Sequence, residues 1–186
     1  MADYQIQQAD IDLLRAQGVD EEDVEHSVLV AEKALEIARR TGADLDMELV
    51  GRAALFHDLG KADTHDMEHG KLGAERGAGL GLPPEICAVM EKHIRGGLTE
   101  GEAEELGLPV KDYTLHALEE RIVIYADRLA DIIHEDIVEV ADELEAETRF
   151  KEILTEHVKY GKNDLTRERY FRYHDEIQGL IAAAES

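Results

Sequence analysis

Apolar residues recur at intervals of three and four along almost the whole chain, which is the spacing of one helix face. After His26, for example, Val30, Ala34 and Ile37 follow at four, eight and eleven residues, and no segment shows a convincing strand pattern. Acidic residues, glycines and one Pro-Pro pair mark helix ends. The pattern predicts helices at residues 8–17, 21–40, 46–58, from about 69, at 85–94, a short one within 99–113, and at 115–147, 150–160 and 164–184.

Length and composition favour a single all-α domain. With 186 residues, 44% apolar side chains and three prolines, the chain is long enough to bury a core. We expect a bundle of about seven to nine helices. Its core would span residues 20–147, with an N-terminal helix at 8–17 and a C-terminal helical extension at 148–186.

The charge of the chain restricts its partners. Forty-three acidic and 20 basic residues give a net charge of −23. This is typical of proteins from salt-saturated cytoplasm, where salt screens self-repulsion, and it predicts a halophilic archaeal source; an ordinary acidic protein is the alternative. Such a surface repels long nucleic acids and anionic membranes, so neither is an expected partner. We find no signal peptide and no apolar run of about 20 residues, and expect a cytoplasmic protein.

Two adjacent residues carry the strongest chemical signal. His57-Asp58 ends an apolar helix and is followed directly by Leu-Gly-Lys, so that two different ligand types stand at one helix end. His26 lies on an apolar stripe upstream, and Asp127 lies downstream between Val123 and Ala130. A buried aspartate is costly unless it is paired or bound to a metal. Each residue taken singly is also compatible with a satisfied core residue or a helix cap.

The order His…His-Asp…Asp, with Gly-Lys after the pair, resembles the HD-domain superfamily of metal-dependent phosphohydrolases over about residues 20–135. The resemblance implies a helical HD bundle with a metal site in its core. It also implies hydrolysis of a small phosphate ester or nucleotide through a metal-activated water. Imidazole and carboxylate ligands suit Fe, Mn, Co, Ni, Zn or Mg. In the resembling pattern, one ion is held by His26, His57, Asp58 and Asp127.

Two further histidines extend the resemblance to a branch with two metals. His69, in Glu-His-Gly, and His93, in Lys-His-Ile-Arg-Gly-Gly, resemble the branch that includes symmetrical dinucleoside-tetraphosphate hydrolases. There they would help to hold a second ion, with Asp58 bridging. Alternatively, His69 caps its helix and His93 is favoured by a helix dipole. His65 and His134 are weaker candidates for the cleft and its surroundings.

The ligand-rich stretch is also much less acidic than the chain as a whole. Residues 59–97 carry five basic and six acidic side chains, a net charge of −1, which suits the entry of an anionic substrate. Lys61 is the candidate for a catalytic contact with phosphate, and Arg95 for substrate binding; solvated surface bases are the alternative. Residues 149–174 are net positive, so Arg169, Arg172 and Tyr173 could cover the site, pair with the acidic body or form a subunit interface.

Two other functions remain open at this stage. The same order of six ligands resembles mixed-valent di-iron HD oxygenases, which cleave carbon bonds with oxygen. The chain could also be a non-catalytic nucleotide-binding HD module that reports to a partner. A monomer and a homodimer are both compatible with the sequence.

Overall fold

The computed structural model describes residues 4–186 as helices joined by turns and loops, with no β-strand in this range. Two 3₁₀ turns, Leu59–Ala62 and Ile94–Gly96, interrupt the series of α-helices. The α-helices are α1 (Gln8–Ala16), α2 (Glu21–Thr41), α3 (Met47–Phe56), α4 (His69–Gly79), α5 (Pro84–Lys92), α6 (Glu100–Glu105), α7 (Leu118–His134), α8 (Glu143–Thr148), α9 (Phe150–Glu156), α10 (Val158–Gly161) and α11 (Asp164–Ala184).

Helices α2, α3 and α7 pack against one another at the centre of the bundle, and α5 packs on α3. Their facing sides bury Val30 and Ile37 from α2, Phe56 from α3, and Ile122 and Leu129 from α7, all fully excluded from solvent. Burial of each such side chain contributes about 1.5–3 kcal/mol. The apolar stripes of the sequence therefore meet in one core, and the predicted all-α fold is confirmed.

Local signals set the ends of the central helices. Helix α2 has three acidic residues in its first turn and ends at Gly42, whose φ of 64° suits a glycine cap. The Asp46 side chain accepts a hydrogen bond from the backbone N–H of Leu49 at 3.0 Å and so caps α3. These ends lie within about one residue of the predicted ones. Helix α3 therefore stops where His57 and Asp58 begin a tight turn.

A close backbone approach joins this turn to α4. A Cβ atom on Gly60 would lie 1.9 Å from the carbonyl oxygen of His69 and 2.6 Å from the backbone nitrogen of Gly73. Only a residue without a side chain fits there. The glycine two residues after Asp58 therefore brings the start of α4, and His69 with it, against the His-Asp turn.

The prediction of one helical stretch over residues 115–147 is wrong. Helix α7 ends at His134, and an irregular segment separates it from α8. Asp136 adopts φ 53°, which breaks the helix, and the Asp142 side chain caps α8 through the N–H of Glu145. A capping aspartate inside an acidic run was the sequence signal for this break.

The predicted helix at residues 150–160 is also divided. His157 is extended, with φ −115° and ψ 104°, and separates α9 from α10. Lys162, with φ 58°, ends α10, and Asn163 caps α11. The described residues therefore form eleven α-helices rather than the expected seven to nine. The last helix has the predicted bounds.

Helix α11 packs on α2, α7 and the turn Ile94–Gly96. The Arg169 guanidinium donates to the carbonyl oxygen of Arg95, and the Tyr173 hydroxyl donates to that of Gly96, both at 2.8 Å. Arg169 also pairs with the buried Glu102. Arg169 and Tyr173 of the C-terminal segment therefore bind the body of the protein and hold the turn beside His93. None of the described helices has the length and apolarity needed to cross a membrane.

We expect Gly60→Ala to destabilise the metal-free protein by about 1–3 kcal/mol, because the added methyl group must displace the backbone of α4. Gly179→Ala is the matched control, since a Cβ atom there meets nothing within 4 Å in the middle of α11. It should be neutral or stabilising. Urea unfolding measures both, and equal stability of the two variants would contradict this account of the turn.

Candidate metal centre

The structure brings together all six histidines and aspartates that the sequence analysis proposed as ligands. They come from α2, α7, the end of α3, the start of α4 and the residue after α5. Five line an open cavity of about 270 Å³, and His57 is buried. The six residues, called the centre below, are His26, His57, Asp58, His69, His93 and Asp127.

The centre divides into two groups of three. His26, His57 and Asp127 form one group, and the other consists of Asp58, His69 and His93. Within each group, the candidate ligand atoms lie within 4.8 Å of one another. In the first group, Asp127 Oδ1 lies 3.1 Å from His26 Nε2 and 3.4 Å from His57 Nε2.

Asp58 joins the two groups through its two oxygens. Oδ2 lies 3.2 Å from His57 Nε2 and 3.9 Å from His26 Nε2. Oδ1 lies 3.3 Å from His69 Nε2 and 3.4 Å from His93 Nε2. One carboxylate thus faces imidazoles of both groups, and its role as a ligand common to two cations stays a prediction.

Three imidazoles are fixed by backbone carbonyls. The Nδ1 atoms of His57, His69 and His93 lie 2.7, 2.6 and 2.6 Å from the carbonyl oxygens three residues earlier in the chain. A carbonyl oxygen only accepts, so each Nδ1 must carry the proton and donate. A neutral ring then presents Nε2 as an acceptor, oriented toward the centre. Metal-binding histidines are commonly oriented by such a hydrogen bond.

With Nδ1 of each ring donating to a carbonyl oxygen, the Nε2 acceptor atoms face other hydrogen-bond acceptors. His69 Nε2 lies 2.8 Å from His93 Nε2, and the Asp58 oxygens face the Nε2 atoms of both groups. The buried Nε2 atom of His57 has no hydrogen-bond partner among the described residues. Protons or cations must lie between these atoms to offset their repulsion. A centre of imidazole nitrogen and carboxylate oxygen fits divalent cations.

The close approach of these imidazoles and carboxylates also shifts the pKa values of His57 and Asp58. Burial acts to lower the pKa of His57, but the carboxylates of Asp58 and Asp127 outweigh it and raise the pKa well above its ordinary value. Burial acts to raise the pKa of Asp58, and the imidazoles of His57, His69 and His93 instead hold it well below its ordinary value. Without a metal, a proton on His57 therefore stabilises the two carboxylates.

Lys61 lies beside the centre and is already paired. Its ammonium is 2.7 Å from Asp58 Oδ2 and 3.0 Å from Asp23 Oδ1. Burial opposes the charge on Lys61, but the two carboxylates outweigh it and raise the pKa. Lys61 also lines the cavity, so its charge reaches both the bridging carboxylate and the space above it. It is not the solvated surface base of the alternative interpretation.

The structure adds residues that the sequence analysis missed. Arg128, Asp131 and Lys162 line the same cavity as Arg95. Burial and the neighbouring Asp127 raise the pKa of Asp131 to about 7. Asp131 follows Asp127 by four residues on α7, and this helical spacing was a usable signal. Nothing in the local sequence distinguished Lys162, which reaches the cavity from a distant part of the chain.

The weaker histidine candidates are not part of the centre, although His65 lines the same cavity. His65 is largely exposed and interacts with Asp23 at 2.9 Å. With Asp20 it forms a separate, mostly exposed group of three, and Lys61 already occupies one side of Asp23. His134 is exposed at the end of α7 and lines a different groove between α2 and α8.

This chain belongs to the HD domain family, whose model matches residues 23–147. HD domains bind divalent metal ions, and the two groups of the centre could hold them. The division into a core at residues 20–147 and two flanking segments stays a prediction, as does the halophilic source.

Related proteins come from archaea and bacteria. An uncharacterised protein of Methanocaldococcus jannaschii is 40% identical over 161 residues, which cover 85% of this chain and 89% of that protein. A tRNA (cytidine(56)-2'-O)-methyltransferase of Thermoplasma volcanium is 35% identical over 123 residues, but the match spans only 36% of its length. The solved HD domain of the L. monocytogenes phosphodiesterase PgpH, in complex with cyclic-di-AMP, has a TM-score of 0.59 and 17% identity, with 95% of each chain covered. This last likeness concerns the fold alone.

We expect metal binding to release about one proton or more per chain near pH 7.5. The pKa of His57 is raised well above its ordinary value, so the metal-free ring holds a proton that a ligating imidazole must lose. Metal affinity should therefore fall as the pH falls. Calorimetric titration with Mn²⁺ in buffers of different ionisation enthalpy counts the protons. His116→Ala, at an exposed ring outside the centre, should release the same number, and binding without proton release would contradict the expectation.

Proposed function

We propose that the protein is a metal-dependent phosphohydrolase that acts on a small phosphate ester or nucleotide. The observation that carries this proposal is the pair of acceptor groups joined by the two oxygens of Asp58 at one side of an open cavity. Family membership supports the same reaction class. The substrate is a small molecule in this proposal, and the cytoplasmic location and the choice between monomer and homodimer stay predictions.

In this proposal, His26, His57, Asp58 and Asp127 would hold one divalent ion, and His69 and His93 would help to hold a second. Bound divalent ions lower the pKa of water and stabilise negative charge on a phosphoryl oxygen. The chain's own contribution is orientation. Backbone carbonyls fix the rings of His57, His69 and His93, so little reorganisation is needed when a substrate binds.

Lys61 has two roles in this proposal. Its ammonium offsets the charge of the bridging Asp58 carboxylate, from which it lies 2.7 Å away. Because it also lines the cavity, it can donate a hydrogen bond to a phosphoryl oxygen and steady the charge that develops there. Asp23 holds the other side of the ammonium at 3.0 Å and keeps it in this position.

We expect Asp58→Ala to lose bound metal and to reduce phosphate release by about 100-fold or more, because a ligand common to both groups is removed. His134→Ala is the control, since this exposed histidine lies on α7 with Asp127 but outside the cavity. The assay is phosphate release from a panel of nucleotides and sugar phosphates with Mn²⁺, Co²⁺, Ni²⁺ or Mg²⁺. Unchanged metal content and turnover in Asp58→Ala would refute the proposal. Bound iron with an electron paramagnetic signal and no phosphate release would instead favour the di-iron oxygenase.

We expect His93→Ala to bind fewer metal ions than the wild-type chain, from about two to about one, since only one group loses a ligand. The His26 group keeps its three residues. Elemental analysis after saturation with Mn²⁺ and removal of free metal measures the ratio, with His134→Ala again as the control. Equal metal content in the His93 variant and the wild type would contradict a second ion at this group.

A further inference from the structure

Three basic side chains gather at the cavity beside the centre. Arg95 comes from the turn Ile94–Gly96, Arg128 from α7 and Lys162 from the junction of α10 and α11. These three residues are called the cationic rim below. With Lys61, the cavity is lined by four basic side chains and by three carboxylates, those of Asp58, Asp127 and Asp131. This excess of positive charge, before any metal is added, occurs in a chain whose net charge is −23.

Two members of the cationic rim are held in a costly backbone conformation. Arg95 has φ 50° and Lys162 has φ 58°, in the left-handed region that side chains other than glycine rarely adopt. Among the described residues, Asp136 is the one other non-glycine residue with positive φ. Such strain persists where surrounding contacts enforce it, and it is frequent at functional sites. Here Arg169 enforces it at Arg95 by binding its carbonyl oxygen.

The charges of Arg95 and Lys162 are not neutralised by partners. Within residues 4–186, neither side chain forms a hydrogen bond or an ion pair. Burial lowers the pKa of Lys162, and the nearby charges of Arg128 and Arg95 lower it further. The carboxylate of Asp131 offsets part of the repulsion between these like charges, and a bound anion would offset more of it.

Arg128 provides the buried part of the rim. It is 8% exposed, and its guanidinium lies 5.0 Å from the centroid of the Tyr170 ring. Its Nη atoms lie 3.3 Å from Asp131 Oδ2 and from the Tyr170 hydroxyl, while its buried Nε atom has no partner among the described residues. Arg128 also lines the cavity, and a guanidinium that is fixed in this way is suited to bind a carboxylate or a phosphate.

We propose that Arg95, Arg128 and Lys162 bind a second anionic group of the substrate, while the scissile phosphate lies at the centre. The substrate is then a small phosphate ester that also carries a carboxylate or another phosphate. This inference rests on the proposed phosphohydrolase function and narrows its substrate class.

The remaining lining supports a compact polar substrate rather than one held by a nucleobase. No Phe, Tyr or Trp is among the described residues that line the cavity, and its apolar contribution is limited to Met67 and Ile94. Proteins that hold a free base usually stack it on an aromatic ring. Of the histidines that line the cavity, His65 interacts with Asp23 at 2.9 Å and the others belong to the centre. The volume of about 270 Å³ is also at the small end for ligand pockets. A base, if the substrate has one, therefore lies outside the cavity.

Binding of two non-hydrolysable probes tests the cationic rim without any turnover. Phosphonoacetate and methylphosphonate share a phosphonate, and the first adds one carboxylate. With Mn²⁺-loaded protein, calorimetry should give about tenfold tighter binding of phosphonoacetate, because a charge-assisted contact is added. Lys162→Gln should reduce this preference several-fold without changing methylphosphonate binding, and Lys162→Arg should keep it. Gln carries the same backbone strain as Lys at this position, so the pair of variants isolates the charge.

Lys151→Gln is the matched control, because this lysine pairs with Asp175 on the surface and lies outside the cavity. It should bind both probes as the wild type does. If Lys162→Gln weakens both probes equally, or neither, the second-anion site is refuted. The phosphohydrolase proposal would still stand in that case if the loaded protein releases phosphate from any ester and loses this activity in Asp58→Ala.

A kinetic comparison of four substrates tests whether a carboxylate or a nucleobase on the substrate contributes to its recognition. We expect the kcat/KM for 3-phosphoglycerate to exceed that for glycerol 3-phosphate by about tenfold, since it carries a carboxylate in place of a hydroxymethyl group. We expect the kcat/KM for AMP to exceed that for ribose 5-phosphate by less than about threefold, since the described lining offers a base no Phe, Tyr or Trp ring to stack on. A preference of tenfold or more for AMP, or none for 3-phosphoglycerate, would overturn the inferred substrate class.

Discussion

The structure depends on one electrostatic conflict at its centre. Three imidazoles donate their Nδ1 protons to backbone carbonyls, so their Nε2 atoms face the carboxylates of Asp58 and Asp127 as acceptors. Such an arrangement is unfavourable in a buried site unless positive charge lies between the atoms. A proton on His57 relieves part of it in the metal-free protein. Divalent cations would relieve all of it, and this is why the geometry itself favours a metal-binding function.

The packing of the helices determines where each residue of the centre lies. Helices α2, α3 and α7 form one apolar core, and this core fixes the relative positions of His26, His57 and Asp127. The second group depends on a closer contact, since Gly60 allows the backbone of α4 to approach the turn after Asp58. Asp58 stands between the two groups because it belongs to that turn. The same helix contacts therefore form the core and position the residues of the centre.

Basic side chains are concentrated at the cavity, although the chain as a whole carries a net charge of −23. Lys61 is fixed between Asp58 and Asp23, while Arg95 and Lys162 line the same cavity and form no ion pair within residues 4–186. Helix α11 supports this side of the molecule, because Arg169 and Tyr173 bind the backbone of the turn after His93. The basic C-terminal segment thus acts mainly through pairing and support.

The sequence alone predicted the helical fold, because apolar spacing predicts helix faces, and it singled out His57-Asp58 with its following glycine as a compact local motif. The other four residues of the centre were implied by the resemblance to the HD-domain superfamily, since each of them taken singly was also compatible with a structural role. The prediction of one helical stretch over residues 115–147 was wrong, because Asp136 in the left-handed region and the capping Asp142 break the helix within an acidic run. Only the tertiary structure decided that Asp58 faces both groups and that Lys162 lies beside Arg128. Those contacts join segments far apart in the chain, and their geometry follows from how whole helices pack, which no local pattern records.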